Sequence, residues 1–265
     1  MIGLILWIGV SSFVPAATTA SSTVVKKSQS EKEDKPILKM LFAAMRSRVF
    51  IQMVAKDYLY AGNDVATTQA QREMEKALKT FDAEQKKLAS AFTDPKVKNL
   101  LTYIQMNREE MGELLKQPYS LENAQEIIDL AEAMSEGEKK IAQYLRSRLS
   151  KEYPMGKGQR YFIQQIAKYY MAYQAGIRDA NTVRQMNKMV ENFEKSLEEM
   201  KKYHGNSVKA NQTLNKIDRL WKVVKQFYLD IQEGGLPLIV YQTTEKLDQQ
   251  ILLYVKSMMQ QLGKK

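Results

Sequence analysis

The chain has 265 residues, 44% of them hydrophobic, and 40 basic against 30 acidic side chains give a formal charge of +10. With no cysteine and a single histidine, His204, it excludes a disulfide framework, thiolate metal chemistry and a His-rich metal site. Basic and acidic residues are mixed along the helices and not concentrated in one block, which reads as solvated helix faces with a basic bias and not as a nucleic-acid surface.

Residues 1–14 are apolar around Leu4, Ile5, Leu6, Trp7, Ile8 and Val10, and Pro15-Ala16-Ala17-Thr18-Thr19-Ala20 follows as a small-residue run. That order predicts a signal peptide over residues 1–20, cut after Ala17 or Ala20. The apolar part is shorter than the about 20 residues of a membrane span; a retained N-terminal anchor is the competing reading. Residues 21–36 are Ser, Thr, Lys, Glu and Asp with almost no apolar content, which predicts a flexible tether. A soluble, exported, periplasmic protein is the expectation.

A first four-helix module is expected over residues 37–152. Its helix one covers about 37–61 and stops at Gly62-Asn63-Asp64. Helix two carries Met74, Leu78, Phe81, Leu88 and Phe92 at helical spacing. Asp94 then offers an N-cap and Pro95 a first helical residue for helix three, which holds Val97, Leu101, Ile104, Met111 and Leu115. Ser120 caps helix four, with Ile127, Ile128, Met134, Ile141 and Tyr144 on its apolar stripe. A linker follows over 153–158, and a second module over 159–265 places helices at about 159–176, 181–204, 207–233 and 238–262. Gly234-Gly235-Leu236-Pro237 makes the break before the last of them. The Met and aromatic stripes fall at helix period, so they read as core and not as a haem or metal box.

The two modules share a repeat. Arg48, Phe50, Ile51, Gln52, Ala55, Lys56 and Tyr58 recur 112 positions on as Arg160, Phe162, Ile163, Gln164, Ala167, Lys168 and Tyr170. The same offset pairs Met74 with Met186, Phe81 with Phe193 and Leu88 with Met200. The predicted fold class is therefore all-α, two tandem antiparallel four-helix bundles made by internal duplication.

Arg48, Gln52 and Lys56, and again Arg160, Gln164 and Lys168, are four apart and form a polar ridge beside the apolar arc of each first helix. An Arg in that place is partly desolvated and wants an anionic partner. The other reading of the same spacing is a bundle edge, where Arg and Lys stems cover hydrophobic surface.

The repeated segment, Arg-x-Phe-Ile-Gln-x-Val/Ile-Ala-Lys-x-Tyr, resembles the first-helix motif of PilJ-type domains. These are the sensory modules of type IV pilus chemotaxis transducers, similar to the periplasmic nitrate-sensing region of NarX-type kinases. The resemblance implies a periplasmic four-helix bundle in which the leading Arg, here Arg48 and Arg160, holds a small nitrate-like anion across a helix pair. Gln52, Lys56, Gln164 and Lys168 stand alongside. The motif's Ser is replaced by Ile51 and Ile163, and its second Arg by Met53 and Gln165, which removes a donor fork from each copy. With two copies in one chain, Arg48 and Arg160 are expected to face one another across the paired first helices and share the anion.

The sequence stops at Gly263-Lys264-Lys265, soon after the last helix, without the HAMP segment or output domain of such transducers. The expectation is a non-catalytic binding or sensory-accessory protein that docks on a membrane receptor or another envelope protein, with no cofactor and no nucleic-acid partner. The alternative is a helical interaction module whose Arg ridge only helps packing. No Gly-rich phosphate loop and no His dyad support an enzyme.

Overall fold

The computed structural model describes residues 18–150, 158–232 and 235–262, and all secondary structure among them is helical. Eight helices follow in order: α1 Thr18–Gly62, α2 Thr67–Ala91, α3 Pro95–Leu114, α4 Leu121–Ser147, α5 Gln159–Ala175, α6 Ala180–Lys202, α7 Val208–Leu229 and α8 Pro237–Leu262. Among the described residues no helix is long and apolar enough to cross a membrane. Residues 1–17, with most of the expected signal peptide, and 151–157, with most of the expected linker, lie outside the described residues.

Local chemistry sets four of the helix starts. The Asp94 carboxylate accepts from the Lys96 backbone N–H at 2.8 Å, with Pro95 in the first turn, where its missing N–H costs nothing. Ser120, Asp179 and Ser207 cap α4, α6 and α7 by accepting from the N–H three residues on. Two glycines permit close approaches. A Cβ on Gly62 would lie 2.0 Å from the Tyr119 ring, and one on Gly137 would lie 2.9 Å from Ile104, where α3 closes on α4.

The segment expected to be a flexible tether is helical instead, because α1 starts at Thr18 and runs on through Pro36. Ser, Lys, Gln and Glu are acceptable helix formers, so composition alone does not separate a solvated helix from a coil. A long-range contact holds this end. Asp34 is buried and accepts from the Ser150 backbone N–H at 3.0 Å and from its hydroxyl at 2.6 Å, fastening α1 to the end of α4.

α1 packs along α2 and α4, and α3 along α4; α5 packs along α6 and α8, with α7 against both α6 and α8. Phe81, Leu88 and Ile104 fill the first group, and Phe193, Ile217 and Trp221 the second. Each such side chain contributes about 1.5–3 kcal/mol on burial. The two groups meet where α1 packs against α5. That seam differs from the rest of the core. Residues 51–60 of α1 and 163–172 of α5 are buried without interruption, so both helices are enclosed on every side. The two windows stand 112 positions apart.

Candidate functional site

Uninterrupted burial draws the polar ridge of each first helix into the interior. Gln52, Lys56, Gln164 and Lys168 are all fully buried. A buried ammonium is stable only with a charged partner, and both lysines have one. Lys56 on α1 pairs with Glu245 on α8, and Lys168 on α5 pairs with Glu132 on α4. Each lysine thus takes its carboxylate from the other group of helices, and the two pairs cross the seam in opposite directions. Gln165 adds a bond to Glu132 at 2.7 Å.

The two lysines are not equally supplied. Burial alone would lower the Lys56 ammonium, but Asp57, whose carboxylate lies 3.2 Å away, and Glu245 outweigh it and hold it above its ordinary range. Burial does prevail at Lys168, against the pull of Glu132, and lowers it. The contact between Lys56 and Asp57 is an ion pair without hydrogen-bond alignment, and neither Asp57 oxygen has a hydrogen-bond partner. Burial, against the attraction of Lys56, pushes the Asp57 carboxyl up to about 7.

The arginines stand at the edge of the seam and lean across it. The Arg48 guanidinium lies 4.0 Å from the Tyr161 ring centre, and that of Arg160 lies 5.9 Å from the Phe50 ring centre. Their polar partners come from their own group of helices and differ in charge. Arg160 donates through Nε and Nη2 to the two oxygens of Asp248 at 2.8 and 2.7 Å, a bidentate fork. Arg48 donates through Nε to the neutral Ser135 hydroxyl at 3.3 Å, and that hydroxyl donates to the Tyr161 phenol at 3.2 Å. Among the described residues no carboxylate stands at ion-pair distance from Arg48.

A buried acid lies one helical turn beyond Ser135. Glu138 accepts from Gln85, which also bonds the Ser47 hydroxyl at 3.2 Å; its second oxygen has no partner. Burial pushes the Glu138 carboxyl up to about 8, against the pull of Gln85 and Arg48. Burial thus disfavours the charged form of Glu138 and weakens it as a counter-charge for Arg48. Gln85 also lines an open groove of ≈ 830 Å³ between α2 and α3.

The structure places all six ridge residues of the sequence pattern along one seam, but it commits three of the four cations to internal carboxylates. Asp248, Glu132, Glu245 and Ser135 are partners that the ridge pattern does not reveal. A signal for them exists: Glu132 and Ser135 recur 113 positions on as Glu245 and Asp248, at the same spacing of three along the last helix of each group. The amide of Gln164 and the Oε1 of Gln52 have no hydrogen-bond partner, so the centre of the seam is polar and incompletely satisfied. Among the described residues no three His, Asp or Glu side chains gather closely enough to hold a metal ion. The chain matches no family model, and comparison with curated proteins and with solved structures finds no match.

Proposed function

We propose that the protein is a non-catalytic sensor-type binding module that holds one small anion at Arg48, on the seam between α1 and α5. In this reading the chain is a duplicated four-helix unit, resembling PilJ-type domains, in which α1 and α5 take the places of the two first helices of a dimeric sensor. The apolar and small-residue run before residue 21 directs it to the periplasm, where it presents its state to a membrane receptor. The observation that carries the proposal is the state of Arg48. It is half-enclosed, held against an aromatic ring by a neutral hydroxyl, and without a carboxylate partner among the described residues. A positioned guanidinium with open donors in a partly dry setting favours an anion.

Thermal unfolding of the full chain against nitrate, nitrite, sulfate, phosphate, formate and acetate tests it. One anion at about 100 times its dissociation constant stabilises the fold by roughly 2.7 kcal/mol, and Arg48→Ala removes that response. No response to any anion overturns the proposal in favour of a second reading, a docking module. The exposed Leu229, Leu236, Leu238 and Ile239, where α7 ends and α8 begins, favour that second reading.

A further inference from the structure

The two arginines have equivalent addresses. Arg48 and Arg160 are 112 positions apart, and the residues they bond, Ser135 and Asp248, are 113 apart on α4 and α8. The flanking carboxylates Glu132 and Glu245 keep the same separation and the same role toward Lys168 and Lys56. One helical turn further along, Glu138 of α4 corresponds to Ile251 of α8, both buried. Seen along the seam, one place holds a guanidinium filled by a carboxylate. The corresponding place holds a guanidinium bonded to a hydroxyl too short and too neutral to fill it.

We propose that Asp248 is a tethered occupant: its carboxylate fills at Arg160 the position that an external planar oxyanion, of the carboxylate class, fills at Arg48. The inference rests on the anion reading above and adds two things to it, the shape of the ligand and the number bound. The geometry at Arg160 supplies the shape, since two oxygens of one planar group meet Nε and Nη2 at 2.8 and 2.7 Å. A fork of parallel donors suits a planar anion better than a tetrahedral one. At Arg48 the Tyr161 ring lies against the guanidinium, so an incoming group is directed to its edge. Ser135 is then the residue that keeps the first place open, and Asp248 the residue that closes the second. One chain takes one anion, and the site never becomes symmetric.

Titration calorimetry on the full chain with sodium formate, acetate and sulfate, at constant ionic strength, tests this with two reciprocal exchanges. Wild type binds one formate or acetate and responds least to sulfate. S135D, which copies the closed place onto the open one, loses binding and melts higher than wild type without ligand. D248S, which copies the open place onto the closed one, binds two, and D248N repeats that result should D248S lose its helicity by circular dichroism. Formate binding by wild type that survives in S135D, or a stoichiometry of one in both Asp248 variants, overturns the tethered-occupant inference and leaves the anion reading standing. Sulfate binding in preference to both carboxylates overturns the planar class. Silence of wild type toward every anion overturns the anion reading and this inference together.

Discussion

On the α8 side of the seam Arg160 shares two bonds with Asp248, while on the α4 side Arg48 meets, among the described residues, the Ser135 hydroxyl and the Tyr161 ring and no carboxylate at ion-pair distance. The helix position is the same and the guanidinium is the same, so the difference comes from the neighbouring side chains, above all Ser135 against Asp248, with Tyr161 and Glu138 on the Arg48 side only. The lysines one level down show the opposite pattern, since both are paired and both pairs cross between the groups of helices. The contrast separates two uses of buried charge. The crossing lysine pairs fix how α1 and α5 sit together, because removing one partner strands the other in a dry interior. Under the proposed function, Arg48, without a carboxylate at ion-pair distance among the described residues, is the group left to respond.

The largest effect expected from breaking this arrangement is at Lys56. Lys56→Ala strands Glu245 and Asp57 together and costs about 3–5 kcal/mol in urea unfolding. Lys168→Ala strands Glu132 alone, which is partly open to solvent, and costs less. Equal losses at the two lysines would contradict the unequal supply of carboxylates. Next comes the arginine pair without ligand. Arg160→Ala leaves Asp248 unpaired and costs about 2 kcal/mol, whereas Arg48→Ala breaks one bond to a neutral hydroxyl and costs about 1 kcal/mol. The order of the two melting temperatures decides the matter.

The positions of the helices are legible in the sequence because caps and breaks are local. Asp94 with Pro95, Ser120, Ser207 and Gly176 each act on backbone within a turn of themselves. The ridge from Arg48 to Lys56 is legible for the same reason, as a spacing of four. The partners of that ridge are not, because Glu245 lies 189 positions from Lys56 and only the packing of α8 brings them together. The helical start of α1 escapes for a similar reason. A Ser, Lys and Glu segment carries no apolar stripe, and the contact that holds Asp34 is to Ser150, 116 positions away. The repeated pattern is legible in the first helices, yet the Ser135 and Asp248 difference hides in the last ones, where few identities hold at a constant offset.

A separate effect lies in the pH dependence. Glu138 and Asp57 titrate higher in the folded chain than in the unfolded one, from an ordinary 4.5 to about 8 and from 3.8 to about 7. Groups raised in this way favour the fold fully below the unfolded value, and that contribution is lost as pH rises through the folded one. Stability attributable to the pair therefore falls between about pH 4 and pH 8, and above about pH 7 only Glu138 still contributes to the fall. Glu138→Gln flattens the upper part of the curve, and Asp57→Asn the lower part. A wild-type midpoint that rises across this range contradicts the assignment.

The most direct test follows the arginine side chains themselves. Arginine Nε–H resonances of the full chain, with Arg48 and Arg160 assigned by Lys substitution, are recorded during titration with formate. The account predicts that the Arg48 signal moves and saturates while the Arg160 signal, held by Asp248, stays in place. Movement of both signals together, or of neither, would contradict it.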